Sequence, residues 1–454
     1  MTEKLSKNPY KGTRDFLPKD YLEREYLFEK MHHSARAFGF LPYDGPLLES
    51  LELYRAKSGE EIVNTQLYSF TDRGGREVAI RPEMTPTLAR MASKICREYP
   101  LPLKWYSIPN LYRYENPQRG RVREHWQWNC DILGQNLTSA ASEILQLLLF
   151  FFESLGANSS HVKIYLNHRK LISFLCEKIL GLSPSLHLPF FKLLDRSAKI
   201  SPHEFREQLI SLISNKDLIP LVERYLTCHS FEEAKTFFKQ YQEGEEAFRD
   251  LENVLSSLPS YMGHYLEFGP SIVRGLDYYT GIVFEAFDQS PENPRAICGG
   301  GAYENLLGLF GESLEGIGLG LGDVTLANFL ETHQLWPNLK CPNITLSCFS
   351  QEPLTFSQER LIYEILYYLR KKSFCAVWKP TPLKIKKGLQ WALQNNSTHC
   401  LFIHSSTEED AKTKDFLFSV KNLSTQQQQD FSLTTLNSST EKSLLDFLLR
   451  PQQG

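Results

Sequence analysis

Tyr112-Arg113-Tyr114-Glu115-Asn116-Pro117-Gln118-Arg119-Gly120-Arg121-Val122-Arg123-Glu124-His125-Trp126-Gln127 is the stretch on which the reading of this chain turns. Four arginines fall within eleven residues, close to Trp105, Tyr106, Tyr112, Trp126 and Trp128. A core strand cannot bury that many unpaired guanidiniums, because each needs a desolvated partner. A plain surface loop has no use for the aromatic neighbours. The segment reads as a polyanion site laid against a sheet, since arginine's planar, always-charged fork suits phosphate. Trp105–Glu115 and His125–Gly134 read as strands, so the arginine-rich loop closes a long hairpin in an antiparallel sheet.

Upstream, Asp20 with Glu23 predicts a capping box opening a helix to about Arg36. Gly39-Phe40 turns the chain into an extended segment ending near Pro46. Gln66–Thr71 and Glu77–Arg81 predict a hairpin around Asp72–Gly75, and a helix follows Pro86. Downstream, Ser139–Leu155 predicts a helix whose apolar run, Ile144–Phe152, is too short for a membrane span and reads as buried. From 180 to 257 strand patterns vanish and amphipathic runs such as Phe205–Ser214 and Phe231–Tyr241 predict a helical insertion. Strands resume at Ile272–Val273 and Gly281–Ala286.

From about Cys341 strands and helices alternate, with Ile344–Phe349, Cys375–Trp378 and Cys400–His404 as strands and Gln358–Lys371 and Leu383–Gln394 as helices. That alternation predicts a small α/β domain with a largely parallel sheet, and Gln426–Gln429 a solvated hairpin tip. The expected organisation is α+β: residues 1–335, interrupted by the helical insertion 180–257, then an α/β domain over 340–454.

The 454 residues are 42% hydrophobic and 12% aromatic, values of a folded globular chain, and they suit more than one domain. A formal charge of −3 exerts no global pull on nucleic acid, so any polyanion site must be a local patch. The opening Met-Thr-Glu-Lys-Leu-Ser-Lys has no apolar signal core, and a cytoplasmic location is expected. The nine cysteines are scattered without a Cys-x-x-Cys, which argues against a disulfide framework or structural zinc. Cys130 and Cys298 read as small core fillers.

Two further segments carry chemistry. Arg274-Gly275-Leu276-Asp277-Tyr278-Tyr279-Thr280-Gly281 packs a cation, a carboxylate and two tyrosines ahead of a strand. Gly299-Gly300-Gly301-Ala302-Tyr303-Glu304 adds a glycine run where a ligand can approach the backbone. No phosphate-binding glycine loop of the Walker or Rossmann kind is present, so a bound nucleotide must be held by side-chain arginines on an antiparallel sheet.

In this combination the chain resembles the histidyl-tRNA synthetases, a class II aminoacyl-tRNA synthetase family, over nearly its whole length. Lys11–Asp15 is similar to the N-terminal signature, and Pro46 to the dimer-interface proline of motif 1. Arg81–Pro86 is similar to the histidine-binding turn, and Tyr112–Asp131 to motif 2. Arg274–Tyr279 and Gly299–Glu304 resemble the two stretches peculiar to histidine enzymes, and the C-terminal module, with Lys384–Lys387 opening a helix, the anticodon-binding domain. The resemblance implies a ligase that forms histidyl-adenylate from L-histidine and ATP and transfers histidine to the 3′ end of tRNA(His). It also implies a homodimer, and Mg2+ arriving with ATP and held by its phosphates rather than by protein ligands.

Carried over by the resemblance, Arg113 would hold the ATP α-phosphate, Arg121 the γ-phosphate, and Glu115 and His125 would sit at adenine. Glu83, Thr85 and Gln127 would hold the α-amino group of histidine, while Asp131, Tyr279 and Tyr303 would read its imidazole. Arg274 would bridge the substrate carboxylate and the α-phosphate; with Arg113 it forms the catalytic pair. Gln118 and Arg119 would meet the tRNA acceptor end.

This sequence departs from the family pattern at three places. Thr325 stands where motif 3 usually ends in a phosphate-binding arginine, leaving Asp323 to serve differently or Arg295 to substitute. Ala302 replaces a frequent arginine, and His125 an aromatic ring. Blander readings stand beside these roles: Arg113 and Arg121 as ion pairs with Glu115 or Glu124, Glu83 as a helix cap, Lys384–Lys387 as a solvated helix face. The rival to a ligase is a catalytically silent, synthetase-like, histidine-sensing regulatory subunit of ATP phosphoribosyltransferase; Thr325 favours it, while Arg274, the arginine-rich loop and the C-terminal module oppose it.

Overall fold

The computed structural model describes residues 5–56, 65–197, 200–213, 215–239, 241, 244–274, 278–339, 344–404, 416–433 and 438–449. Gly275–Asp277 and Cys341, singled out above, lie outside these residues. The chain divides into two units, Met1–Pro337 and Asn338–Gly454.

The strands of the first unit are β1 (Leu41–Pro42), β2 (Leu48–Ser50), β3 (Tyr68–Thr71), β4 (Glu77–Ile80), β5 (Leu103–Ser107), β6 (Asn110–Tyr112), β7 (Glu124–Leu133), β8 (Val162–His168), β9 (Leu266–Phe268), β10 (Ile282–Asp288), β11 (Ala296–Tyr303) and β12 (Gly316–Gly322). A nine-stranded sheet runs β1-β5-β7-β12-β11-β10-β8-β9, with β6 also paired to β7, and β2-β4-β3 form a small separate sheet. The large sheet is antiparallel except at its two ends, where β1 runs parallel to β5 and β9 to β8. Its helices are α1 (Pro18–Ala37), α2 (Leu51–Arg55), α3 (Thr85–Ile95), α4 (Leu137–Ser154), α5 (Arg169–Phe174), α6 (Pro184–Arg196), α7 (Pro202–Leu212), α8 (Ile219–Leu226), α9 (Phe231–Lys239), α10 (Glu245–Ser257) and α11 (Asp323–Thr332).

Strand β7 shows why the sheet has a wet face and a dry one. Its side chains alternate, so Trp126, Trp128, Cys130 and Ile132 share one face and His125, Gln127, Asn129 and Asp131 the other. The apolar face packs on α4, where the Trp128 ring lies 4.8 Å from Phe151. By length and composition α4 could cross a membrane, a longer apolar helix than the sequence reading allowed, yet it lies in the main core with Ile144, Leu148 and Phe152 buried. On the polar face β12 places Gly318, Gly320 and Gly322 in register with Asp131, Asn129 and Gln127.

Several local expectations shift. Helix α1 starts at Pro18, two residues before the proposed Asp20 cap, because proline's fixed φ fits the first helical turn. Helix α3 starts at Thr85 with Pro86 inside its first turn and Met84 as the N-cap. Ile272–Val273 is not a strand: the Ile272 N–H donates to the Gly269 carbonyl, closing a turn, and the strand lies earlier, at β9. Helices α6 to α10 bury Phe190, Phe205, Tyr225, Phe238 and Phe248 in the same core as the sheet.

In the second unit β13 (Leu346–Ser350), β14 (Ala376–Lys379), β15 (His399–Ile403), β16 (Phe416–Asn422) and β17 (Gln428–Leu433) form a sheet ordered β14-β13-β15-β16-β17. The first three are parallel, but β16 and β17 are antiparallel, so the sheet is mixed rather than largely parallel. Helix α12 (Phe356–Lys371) opens with a capping box made by Thr355 and Gln358, and α13 (Ile385–Gln394) and α14 (Ser438–Leu448) complete the unit. Lys384, Lys386 and Lys387 are exposed, as a solvated helix face would be.

Candidate active site

The polar face of β7 and the glycines of β12 floor a cleft of about 880 Å³. Eleven of the thirteen sequence-assigned residues line it: Arg113, Glu115, Arg121, His125, Gln127 and Asp131 from the hairpin, Glu83 and Thr85 from the start of α3, and Arg274, Tyr279 and Tyr303. Gln118 and Arg119 do not. Gln118 exchanges two backbone hydrogen bonds with Arg121 across the loop, and Arg119 donates to Asn293 Oδ1 at 3.0 Å. Of the four arginines between 113 and 123, Arg123 belongs to the fold. It donates to Tyr10 Oη and to the Glu115 carbonyl, and its guanidinium lies 4.1 Å from the Tyr114 ring centre.

At one end the cleft is dry. Tyr303 Oη donates to Asp131 Oδ1 at 2.7 Å, and burial pushes the Asp131 carboxyl up to about 7, with the tyrosine hydrogen bond opposing the rise. Gly318, opposite Asp131, is required there: a Cβ would stand 2.1 Å from Asp131 Oδ1. Tyr278 Oη donates to Glu83 Oε2 at 3.3 Å, placing that tyrosine, which carried no role in the sequence reading, beside the buried Glu83. Tyr278 and Tyr303 meet edge to face at 6.2 Å. Asn129 also lines this face, and the period-two alternation through His125, Gln127 and Asp131 could have found it.

At the other end cations gather. Arg113 Nε donates to the Pro82 carbonyl at 2.9 Å, which aims the head of the side chain into the cleft. Arg121 pairs with Glu115, as the ion-pair reading has it. Arg274 pairs with Glu285 and lies 5.6 Å from the Tyr279 ring centre. Its backbone sits at φ +58, a strained conformation for a non-glycine residue. A Cβ on Gly299 would stand 2.2 Å from Arg274 Nη1, so that glycine makes room for the guanidinium. Burial and then the charges of Arg113, Arg14 and Arg121 drive the His125 imidazole down to about 3, leaving a neutral ring at this end. Lys192, Asp195 and Arg196 reach the cleft from α6, which the sequence reading missed because nothing in a helical run says which cleft it overhangs.

Asp323 is spoken for. Its Oδ2 accepts from Arg14 at 2.7 Å and its Oδ1 from the Trp126 N–H at 2.9 Å, tying the N-terminal segment to β7. A buried carboxylate so placed is a structural clasp, not a phosphate ligand. Thr325 lines the cleft and donates to the Gly322 carbonyl at 3.2 Å.

A family profile described as histidyl-tRNA synthetase matches residues 12–323. The chain belongs to the histidyl-tRNA synthetase family. A histidine–tRNA ligase of Leptospira biflexa is 39% identical over 431 residues, covering 92% of this chain and 96% of that protein. One from Thermoplasma volcanium is 35% identical, covering 95% and 98%. Among solved structures, histidyl-tRNA synthetase from Nostoc superposes with a TM-score of 0.73 at 19% identity over 98% of this chain. An ATP phosphoribosyltransferase regulatory subunit/histidyl-tRNA synthetase from Bacillus halodurans gives 0.71 at 22% over 89%. The structural likenesses establish the class II synthetase fold: a large antiparallel sheet flanked by helices, with a separate α/β unit. The family assignment rests on sequence.

Proposed function

We propose that this member of the histidyl-tRNA synthetase family joins L-histidine to ATP as histidyl-adenylate and passes the histidyl group to the terminal adenosine of tRNA(His). One observation carries the reading: a dry, acid-and-tyrosine pocket and a set of arginines open into a single cleft. The pocket suits an imidazole. Asp131 with Tyr303 offers a hydrogen-bonding demand that apolar side chains of similar shape cannot meet. Glu83, Thr85 and Gln127 supply oxygen acceptors for an α-ammonium group at the same end.

The carboxylate of histidine is already a nucleophile, so activation needs no general base. It needs a carboxylate brought against a phosphorus ringed by negative oxygens. Arg113 and Arg274 offset that repulsion and stabilise the charge that builds in the transition state, while pyrophosphate leaves past Arg121. ATP enters as its magnesium complex. Neutral His125, with Glu115 near it, provides a ring face for adenine. Gln118 and Arg119 stand outside the cleft, where an RNA end would approach. We read 180–257 as an insertion in the catalytic domain and 340–454 as the anticodon-binding domain.

A cytoplasmic homodimer is part of the same proposal. Leu41, Leu47, Leu48 and Phe70 are exposed around the edge strand β1 and the small sheet, an apolar surface that a second copy would cover. Amino-acid-dependent ATP–pyrophosphate exchange with each of the twenty amino acids tests the reading. Exchange with histidine alone is expected, followed by charging of tRNA(His). Histidine binding without exchange would establish the silent, histidine-sensing regulatory relative instead.

A further inference from the structure

Arg295 stands just ahead of β11, and its side chain enters the cleft at the lip formed by the arginine-rich loop. A Cβ on Gly120, which holds the loop's φ +74 position, would stand 3.1 Å from Arg295 Cδ and 3.3 Å from Thr325 Cγ2, so both side chains pack on that turn. The neighbouring cation is Arg121. Among the described residues no carboxylate lies within ion-pair distance of Arg295, and Glu115, the acid at this lip, is engaged by Arg121. Burial and then Arg121 push the Arg295 guanidinium downward, and Glu115 only partly offsets them. Two guanidiniums stand near one acid that only Arg121 pairs with, in a part-buried place, an arrangement that an added multivalent oxyanion relieves.

We propose that Arg295 is a further nucleotide-binding residue that grips, with Arg121, the terminal phosphate of ATP and then the departing pyrophosphate. This rests on the adenylation reading above. Arg113 and Arg274 serve the reacting phosphorus deeper in the cleft, and Arg295 acts on the leaving end. Its location favours the nucleotide over an RNA phosphate, because Arg295 lines the cleft and the loop residues Gln118 and Arg119 do not.

The test uses the full chain with Arg295→Gln and Arg295→Lys, in histidine-dependent exchange and in calorimetry with ATP, AMP and pyrophosphate. Arg295→Gln should raise the KM for ATP and for pyrophosphate about 10- to 100-fold, the range for a hydrogen bond between charged groups. AMP affinity and the KM for histidine should stay at wild-type values, and Arg295→Lys should fall between. Adding Thr325→Arg to Arg295→Gln, which returns a guanidinium from the adjoining wall, should recover part of the loss. Unchanged ATP and pyrophosphate constants would overturn the proposal, as would equal losses of AMP and ATP. A variant impaired only in its KM for tRNA would assign Arg295 to RNA and overturn it too. Should the wild type show no exchange with any amino acid, the adenylation reading fails. Pyrophosphate calorimetry then judges the anion site by itself: loss of affinity in Arg295→Gln supports it, and unchanged affinity overturns it.

Discussion

The two ends of the cleft solve opposite problems with the same sheet. At the end proposed for histidine, Asp131 with Tyr303 and Glu83 with Tyr278 are buried, hydrogen-bonded pairs. At the phosphate end, Arg121 and Arg274 are held by Glu115 and Glu285, and Arg295 has no acid of its own. On the proposed reading the first end, finished by burial, selects a side chain, and the second, short of negative charge, takes the nucleotide. Specificity should therefore fail at the dry end, and rate at the charged end, when either is altered.

The largest effect should come from Arg274→Ala. Removing a cation proposed to face the reacting carboxylate and α-phosphate should lower the exchange rate about 100- to 1,000-fold, or about 2.7–4 kcal/mol, by analogy with loss of an oxyanion-hole donor. Histidine binding by calorimetry should remain measurable, because the residues of the dry end are untouched. An exchange rate within a few-fold of wild type would remove Arg274 from the chemistry.

Asp131→Asn strikes the other end and should act through histidine rather than ATP. Losing a carboxylate hydrogen bond to the imidazole should raise the KM for histidine about 10- to 100-fold and leave the KM for ATP unchanged. The pH dependence has a definite sign. With its carboxyl raised to about 7 in the fold, Asp131 is neutral below that pH and ionised above it. The KM for histidine should rise as pH falls below about 7, where an imidazolium would enter a dry pocket without a counter-charge, and this slope should flatten in Asp131→Asn. For stability, the folded protein binds the Asp131 proton more tightly than the unfolded chain. The associated stability is full below about 4, declines as pH rises and is gone above about 7. Denaturant titrations across that window should show a shallower decline for Asp131→Asn.

Two glycines sharpen the contrast without touching a polar side chain. Gly318→Ala drives a methyl into the Asp131 carboxylate, whereas Gly299→Ala drives one into the Arg274 guanidinium. Each overpacking should cost about 1–3 kcal/mol. The first should appear in the KM for histidine and the second in the exchange rate, since the Arg274 head can swing aside only by leaving its site. Equal effects of both on both constants would show that the ends are not separable.

The hairpin around the arginines was legible because clustered positive charge beside aromatic residues, in an alternating pattern, suits an anion site on a sheet and little else. The glycines of β12 had no such voice. Their use appears only once register sets Gly318 opposite Asp131. Arg123 resembled its neighbours in composition, and its contacts with Tyr10, the Glu115 carbonyl and the Tyr114 ring show that it serves packing. The three-residue strand β9 pairs with β8 residues 102 positions earlier in the chain, beyond the reach of any local pattern. The pairings of Arg274 with Glu285 and of Tyr278 with Glu83 are likewise contacts between segments, which spacing along the chain cannot announce.

The smallest effect should come from His125→Phe, and its smallness is informative. The imidazole is held down to about 3 by burial and by Arg113, Arg14 and Arg121, so it carries no charge at any pH where the enzyme works. It should contribute to the nucleotide only as a flat face, and phenylalanine supplies a larger one. The change should alter the KM for ATP by no more than the stacking range of about 0.5–1.5 kcal/mol, in the direction of tighter binding. The KM for ATP should show no histidine-like step between pH 5 and 8 in either protein. A step that disappears in His125→Phe would mean that this ring titrates in the working range, and that the phosphate end is less crowded with positive charge than its arginines indicate.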